Sequence, residues 1–327
     1  MKRYHLFIFM LIAFVTQSCS NQDKRFALQG EAQGTTFSLI YYAKEEKPIQ
    51  SKISKILKDI DESLSTYQKS SYISKWNRGE QLDTLNHYFE EMYLLSKSVY
   101  DITNGFFDPT VQPLSQFYGF EKRDKIIPNE IDSILEFVGL NKITHNKNSI
   151  EKENSNIQLN YNAIAQGYTV DVIVDNLYKS GINNFIFELG GEVYCSGKKP
   201  DGGLWVIGVD KPKAGRDGEF QSYVKLSDYA ITTSGNYRKW KENPTNGKKY
   251  THTINPKTGE NSPSDLLSVT VINKSCALAD AYSTALLSMK YNKAVEFLKT
   301  NKIPVLFILE KDNRIVIETF NDFEGFE

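Results

Sequence analysis

A carboxylate and a hydroxyl lie four residues apart late in the chain, at Asp280 and Thr284. They fall within Cys276–Met289, whose composition predicts a helix, and residues four apart in a helix share one face. Carboxylate and hydroxyl oxygens are ligands that Mg²⁺ accepts. The pair is therefore a candidate metal site, although the same spacing also arises in helices without any metal.

One of the four histidines, His252, lies between a predicted strand end and the turn expected at Pro256. An unperturbed imidazole titrates near pH 6.5, so at neutral pH it is largely able to accept a proton. A divalent ion and a nearby base together suit phosphate chemistry. A lone histidine is more often structural than catalytic, so His252 needs further support.

The segment Asn160–Asp171 predicts the end of a strand, a tight polar turn and the start of a helix. The N-terminus of a helix presents unpaired N–H groups and a partial positive charge, which suit a phosphate. Gly167 would allow a ligand or another backbone to approach closely. An ordinary strand-to-helix connection would give the same pattern.

Three further segments are rich in glycine, proline or hydroxyl groups. Glu188–Glu192 carries a glycine pair that predicts a hairpin and does not match the spacing of nucleotide-binding glycine loops. Gly105–Leu114 is stiffened by two prolines, and its Asp108 either caps a local turn or helps to position a ligand. Thr232–Tyr237 predicts a strand followed by a turn that either holds a phosphate or is only a Ser-Gly turn.

Alternating helical and extended patterns predict the scaffold for these motifs. The predicted helices are Ile49–Ile60, Tyr88–Ile102, Asn129–Val138, Ala163–Tyr178, Cys276–Met289 and Ala294–Leu298. The predicted strands are a pair within Phe26–Ala43, short strands within Ile143–Leu159, then Phe185–Leu189, Glu192–Ser196, Trp205–Val209, Tyr223–Leu226, Tyr229–Thr232, Leu267–Ile272, Val305–Leu309 and Ile315–Thr319. Ser63–Glu80 and Lys211–Phe220 are predicted to be loops. The sequence thus predicts an α+β fold with mostly antiparallel sheets flanked by helices.

The composition is that of a soluble globular protein. The chain has 327 residues, 40% of them hydrophobic, and 39 basic against 40 acidic residues give a net charge of −1. A chain of this length forms one large domain or two closely joined ones. The balanced charge provides no general attraction for nucleic acid, so no nucleic-acid partner is expected.

The N-terminal residues have the pattern of an export signal. A basic start is followed by Leu6–Val15, an apolar run too short to span a bilayer, and then by Cys19. This resembles a bacterial lipoprotein signal, which implies a signal peptide at 1–18, acylation of Cys19, a polar tether at 19–25 and a folded domain at 26–327. A plain secretory signal and an uncleaved anchor are the alternatives. In an exported protein a disulfide is permitted, but Cys195 and Cys276 are expected to be two separate thiols.

Taken in order, the motifs resemble the ApbE-like family of flavin transferases, which move FMN from FAD onto proteins. The blocks that carry the resemblance are Gly34–Phe37, Leu64–Tyr67 with Ser74–Asn77, Phe106–Val111, Ala163–Tyr168, Leu189–Glu192, Thr233–Tyr237, His252–Gly259, and Ala279–Asp280 with Thr284. Each block is short, but their common order covers roughly residues 26–320. The resemblance implies a two-lobed fold with the flavin site between the lobes, near Gly167.

The resemblance also implies roles for individual residues. Asp280, Thr284 and the backbone carbonyl of Ala163 match metal ligands, and His252 matches the catalytic base. Tyr67 matches a residue that stacks on FAD. The other positions that match flavin contacts are Phe106, Phe107, Asp108, Asn160, Gln166 and Thr253. Gln166 stands where the family often has Lys or Glu, and Asn160 where Asp is common.

The implied reaction uses Mg²⁺ to cleave the pyrophosphate of FAD. FMN passes through a phosphoester bond to a threonine of an acceptor flavoprotein, and AMP leaves. The acylated Cys19 would hold the protein in the bacterial cell envelope, facing the periplasm. Two alternatives remain at this stage: hydrolysis of FAD to FMN and AMP by water, and a lipid-anchored protein that binds FAD without catalysis.

Overall fold

The computed structural model describes residues 23–121, 130–212, 220–236, 240–242, 249–261, 265–312 and 314–326. Its strands are β1 (Lys24–Ala32), β2 (Thr35–Ala43), β3 (Ile143–Asn146), β4 (Ser149–Lys152), β5 (Asn184–Leu189), β6 (Glu192–Ser196), β7 (Trp205–Asp210), β8 (Phe220–Leu226), β9 (Tyr229–Gly235), β10 (Trp240–Glu242), β11 (Lys249–Thr251), β12 (Leu266–Asn273), β13 (Val305–Lys311) and β14 (Arg314–Phe320). Its helices are α1 (Gln50–Leu64), α2 (Tyr72–Arg78), α3 (His87–Ile102), α4 (Gln112–Phe117), α5 (Ile131–Leu135), α6 (Ala165–Lys179) and α7 (Cys276–Thr300).

An eight-stranded sheet forms the centre of the fold, in the order β1-β2-β5-β6-β9-β12-β13-β14. Every neighbouring pair in it is antiparallel. The pairs β3-β4, β7-β8 and β10-β11 form three small sheets. The predicted α+β class with mostly antiparallel sheets is therefore confirmed.

The two faces of the large sheet contact different layers, and β13 shows how. Val305, Phe307 and Leu309 pack with the helices, whereas the alternate residues Leu306 and Ile308 pack with the β7-β8 hairpin. This follows from the period of two in a strand, which sends successive side chains to opposite faces. Strands buried on both faces have near-continuous apolar runs, as β13 does.

Helices α6 and α7 lie side by side on one face of the sheet, and a buried carboxylate fixes their contact. Asp171 of α6 accepts hydrogen bonds from the Ser275 hydroxyl at 2.6 Å, from Cys276 N at 2.8 Å and from Ala277 N at 3.0 Å. The Cys276 and Ala277 donors are N–H groups of the first turn of α7, which a helix leaves unpaired internally. Asp171 of α6 therefore caps the N-terminus of α7 and fixes the position of α7 relative to α6.

Several predicted elements differ from those observed. Ser63–Glu80 was predicted to be a loop, but it contains α2, capped by the Ser71 hydroxyl. The predicted helices in Cys276–Leu298 are joined in α7, which is kinked where Lys290 has a φ of 60°. The strand predicted to end at Asn160 is absent: residues 157–160 are buried but have irregular backbone structure. The helix predicted at Asn129–Val138 is shorter, and Pro109–Val111 within the predicted Gly105–Leu114 loop is a 3-10 turn.

The N-terminal predictions fall mostly outside the described residues. Residues 1–22, including the predicted signal and Cys19, are among those not described, as are 213–219 of the predicted Lys211–Phe220 loop. β1 begins at Lys24, inside the segment assigned as tether. Within the described residues, no helix is long and apolar enough to cross a membrane. Cys195 and Cys276 are both buried and free, as predicted.

Candidate active site

The centre of the candidate site is the contact between Asp280 on α7 and the first turn of α6. The Gly167 N–H donates to Asp280 Oδ2 at 3.2 Å. Gly167 is the third residue of α6, so its N–H is one of those that a helix cannot pair internally. Sequence analysis placed these two segments in one site, and the structure brings them together across 113 residues of chain.

Close packing of the helix backbones makes this contact possible. A Cβ atom at Gly167 would lie 2.5 Å from the Cys276 carbonyl oxygen and 2.9 Å from Ala277 Cα. Any side chain at 167 would thus push α6 away from α7. The close approach that the sequence suggested at Gly167 is an approach of another backbone, and it sets the distance to Asp280.

Hydroxyl groups continue the polar surface along α7 toward the sheet. Ser234 Oγ, near the end of β9, lies 3.0 Å from Thr284 Oγ1 and 2.7 Å from Ser283 Oγ. Ser283 Oγ also donates to the Asp280 carbonyl at 2.8 Å. Ser234 belongs to the Thr232–Tyr237 motif, which the sequence predicted either to hold a phosphate or to be only a turn, whereas Ser283 was given no role. The run of hydroxyl residues Thr232, Thr233 and Ser234 at the strand end was the available signal for Ser234.

The oxygen atoms here fit a hard divalent cation. Burial, opposed by the Gly167 N–H and reinforced by the nearby Asp171, raises the pKa of Asp280 from 3.8 to about 7. The Gly167 N–H gives the one hydrogen bond that the Asp280 carboxylate accepts in the described part of the chain. A buried carboxylate with so little compensation is stabilised when a cation approaches.

The predicted metal ligands comprise one carboxylate, one hydroxyl and one backbone carbonyl. Asp280 would supply the carboxylate, Thr284 the hydroxyl and Ala163, just before α6, the backbone carbonyl. Since Gly167 N donates to Asp280, the Ala163 carbonyl does not receive the i+4 bond of a regular helix. Among the described residues there is no group of three or more His, Cys, Asp and Glu that would hold a metal. The predicted set contains only one such side chain, Asp280, and its other ligands are a hydroxyl and a backbone carbonyl.

Gln166 contacts the hairpin between β5 and β6. A Cβ at Gly190, where φ is +68°, would lie 2.8 Å from Gln166 Nε2 and 3.0 Å from Thr35 Cγ2. Gly190 is therefore needed both for its positive φ in the turn and for space beside Gln166. The neighbouring β1-β2 turn is tied to α6 through Gln33, whose Nε2 donates to Thr169 Oγ1 at 2.8 Å.

Tyr67 has the geometry of a ring held at the surface. Its side chain is 75% exposed, yet its hydroxyl donates to Glu121 Oε1 at 3.2 Å and accepts from Asn162 Nδ2 at 3.3 Å. Although the side chain as a whole is exposed, desolvation at the hydroxyl, and then the nearby Glu121, raises the pKa of Tyr67, so the phenol stays neutral. Asn162 adjoins Ala163, so Tyr67 lies beside the α6 start, with its ring open to solvent.

Asn160 is hydrogen-bonded to the segment that follows the Phe106–Asp108 loop, since its N–H donates to the Pro109 carbonyl at 2.8 Å. Asn160 Nδ2 donates to Gln112 Oε1 at 2.6 Å. Asp108 is buried and accepts from Thr110 N at 2.8 Å and from Thr110 Oγ1 at 2.6 Å, so its side chain caps a turn. Phe107 belongs to the hydrophobic core. Flavin contacts by these residues stay predictions.

Phe106 is linked both to α7 and to the segment that follows His252. Its carbonyl accepts from Ser288 Oγ at 2.7 Å, one turn beyond Thr284. Lys257 Nζ lies 5.3 Å from the centre of the Phe106 ring. The His252–Gly259 block is thereby attached to the same helix that carries Asp280.

His252 and Thr253 lie in a constrained turn after β11. Asn261 Oδ1 accepts from Thr251 N at 2.7 Å, and Thr251 Oγ1 donates to the Thr253 carbonyl at 3.3 Å. Both His252 and Thr253 are half-buried. The structure thus confirms the predicted strand end before His252, while its role as a base stays a prediction.

Comparison with known proteins gives a consistent result over most of the chain. A model of the ApbE family matches residues 33–307. The FAD:protein FMN transferase of Vibrio cholerae is 30% identical over 318 residues, covering 94% of each chain. That of Haemophilus influenzae is 30% identical over 334 residues, covering 97% of this chain and 96% of its own.

Solved structures agree in fold. The flavin transferase ApbE from Vibrio cholerae has a TM-score of 0.81 at 30% identity, covering 93% of this chain and 100% of its own. The flavinyl transferase ApbE of Pseudomonas stutzeri, in its apo form, has a TM-score of 0.82 at 28% identity, covering 93% and 97%. With its motifs, its fold and these matches in agreement, the chain belongs to the ApbE family.

Proposed function

We propose that this protein is an FAD:protein FMN transferase that uses Mg²⁺ to move FMN onto a threonine of an acceptor protein. The observation that carries the proposal is the contact of Asp280 with Gly167, with Thr284 one turn away beside Ser234. This arrangement sets oxygen ligands against a helix N-terminus, which suits a pyrophosphate with its cation. The names of the relatives supply the reaction type.

The reaction balances without any further reagent. The threonine oxygen of the acceptor attacks the phosphorus of the FMN half of FAD. A new oxygen–phosphorus bond forms, the pyrophosphate bond breaks, and AMP leaves with the bridging oxygen. The threonine proton passes to a base, for which His252 is the candidate, and then to solvent.

Each part of the site has a defined task in this proposal. Asp280, Thr284 and the Ala163 carbonyl would hold the divalent ion, which when bound neutralises pyrophosphate charge. Tyr67 would stack on the flavin nucleotide, with its hydroxyl kept in place by Asn162. His252 would accept the proton of the nucleophile, a contribution of typically about 10²- to 10⁴-fold in rate.

The test is co-expression with proteins of the same cell envelope, followed by mass spectrometry of flavin-containing peptides. We expect one acceptor to carry the mass of FMN on a threonine, and purified enzyme, FAD and Mg²⁺ to reproduce the modification while releasing equimolar AMP. AMP release at the same rate without acceptor would instead establish FAD hydrolysis. A yellow protein that never releases AMP would establish a binding protein.

We also propose that the protein is anchored by a lipid on Cys19, on the basis of the N-terminal sequence pattern. Incorporation of a labelled fatty acid into the wild type, and its loss in Cys19→Ser, would be expected. Equal labelling of both proteins would contradict the anchor while leaving the transferase proposal intact.

A further inference from the structure

A groove with a volume of about 500 Å³ lies between β1 and α1. Five consecutive residues of β1, Leu28–Ala32, line one side, and residues of α1 from Gln50 to Glu62 line the other. Successive side chains of a strand point to opposite faces. A groove that touches five in a row therefore follows the backbone edge of the strand.

The outer edge of β1 has no partner strand among the residues that the structure describes. β1 is the terminal strand of the large sheet and, within the described residues, pairs with β2 alone. An edge strand presents a row of N–H and C=O groups that another extended segment is able to pair with. Proteins recognise extended peptides in this way, by adding them as a further strand.

The groove leads to the candidate active site. Lys52 Nζ, near the start of α1, lies 3.2 Å from Ser180 Oγ at the end of α6. Beyond the other end of α1, Gln68 lines the groove and adjoins Tyr67, which contacts Asn162 before the start of α6. α1 thus runs antiparallel to α6 and ends beside the site.

The strand wall leads to the same place. β1 ends at Ala32, and the next residue, Gln33, donates to Thr169 Oγ1 in α6. Thr35, at the start of β2, approaches Gly190 and hence Gln166. A segment lying along β1 would therefore reach the Gln166 and Tyr67 region at one end.

The groove is acidic. Its lining includes three acidic residues, Glu31 on the strand side and Asp61 and Glu62 on the helix side, and one basic residue, Lys58, whose Nζ lies 3.6 Å from Glu62 Oε1. Burial raises the pKa of Asp61, and no basic side chain forms an ion pair with it in the described part of the chain. Basic side chains on a docked segment would compensate this charge.

We propose that the acceptor protein docks through an extended, basic segment that pairs with the free edge of β1 and lies in this groove, so that its threonine reaches the site. This inference rests on the proposed transferase function and names the surface that the acceptor uses.

The test compares two double charge reversals, one at positions that line the groove and one at positions that do not. The groove variant is Glu31→Lys with Asp61→Lys. The control is Glu45→Lys with Asp59→Lys, at positions that do not line the groove, the latter on α1 itself. The probe is the purified acceptor identified by covalent FMN, with saturating FAD and Mg²⁺. We expect the groove variant to raise the KM for acceptor roughly tenfold, with kcat and FAD affinity unchanged, and the control to match wild type.

A backbone measurement examines strand addition separately. Hydrogen exchange of Lys24–Ala32 is expected to slow when the acceptor is added, because new inter-strand hydrogen bonds form. The proposal would be overturned by an unchanged KM for acceptor in a folded groove variant, or by hydrogen exchange in β1 that is equally fast with and without acceptor. β1 protection that rises with protein concentration alone would also overturn it, since a second copy would then occupy the edge. Failure of the wild type to modify any acceptor would instead reject the transferase function.

Discussion

The two faces of the large sheet differ in what their side chains do. On the helix face, polar groups are buried together: Asp280, Ser283 and Asp171 make hydrogen bonds between helices or to β9. On the opposite face, the β7-β8 hairpin packs apolar side chains such as Trp205 and Leu226 against the sheet. One sheet thus supports two layers, one able to hold charge and one that contributes burial of apolar surface.

This difference between the two faces predicts which substitutions lower activity and which lower stability. Burying a polar group costs free energy unless it is paired, so the helix face gives up some stability to form a site. On the hairpin face, each Å² of apolar surface removed from water contributes about 25 cal/mol to the free energy of unfolding. Variants on the two faces should therefore separate in kinetic and unfolding measurements.

The largest expected effect is on activity, in His252→Ala. Loss of the base should lower the transfer rate by about 10²- to 10⁴-fold while FAD affinity and thermal stability stay near wild type. Single-turnover transfer with saturating FAD is the measurement. His145→Ala is the matched control, since His145 Nε2 lies 2.8 Å from Glu90 Oε1 on another part of the molecule. Transfer by His252→Ala at the wild-type rate would remove its assigned role.

The largest expected effect on stability is on the hairpin face, in Trp205→Ala. Truncation leaves a cavity and removes the bond from Trp205 Nε1 to the Ser196 carbonyl at 2.9 Å. The free energy of unfolding should fall by about 3–5 kcal/mol, measured in urea, with kcat of the folded fraction unchanged. The milder Ile308→Val should cost about 0.5–1.5 kcal/mol. A fall in kcat for either folded variant would break the comparison.

Gly167→Ala should affect both quantities, because it alters the spacing of two helices at the site. The added methyl group meets the Cys276 carbonyl, so overpacking should cost about 1–3 kcal/mol of stability. Displacing the Gly167 N–H from Asp280 should also lower kcat. Gly325→Ala is the control, since nothing lies within 4 Å of a Cβ there. Wild-type stability and kcat in Gly167→Ala would contradict the close packing.

The smallest expected effect concerns the pH dependence of stability. Burial raises the pKa of Asp108 from 3.8 to about 6, so between these values the folded state binds more protons than the unfolded state. The free energy of unfolding contributed by this group therefore falls as the pH rises from about 4 to 6. Asp108→Asn should flatten that decline in urea unfolding measured at several pH values. An equally steep decline in the variant would show that another group causes it.

The sequence predicted the parts that local pattern controls. Alternating side chains gave β1, β2 and the hairpin at Gly190, and helical spacing gave α1, α3 and α6. It did not predict α2, whose Trp76 is held by a bond from its Nε1 to the Ile150 carbonyl at 2.7 Å. That contact joins residues 74 positions apart, so no local pattern reports it.

The sequence predicted which segments form the candidate site, but not the hydrogen bonds that join them. Resemblance supplied Asp280 and Thr284, but the hydrogen bonds between the Ser234 hydroxyl and those of Ser283 and Thr284 depend on how β9 packs against α7. Likewise, Asp171 was noted only as the end of a motif, yet it caps α7 and places Asp280. Capping across two helices becomes visible only when both are folded together.

The account depends most on a divalent ion held by Asp280 in front of the flavin pyrophosphate. The most direct measurement is a Mg²⁺ titration of AMP release and acceptor modification by wild type and by Asp280→Ala, with FAD saturating and thermal unfolding as a check of folding. We predict that the variant needs at least about tenfold more Mg²⁺ for half its maximal rate, as expected when a charged ligand is lost. An unchanged Mg²⁺ dependence in a folded variant would contradict the account.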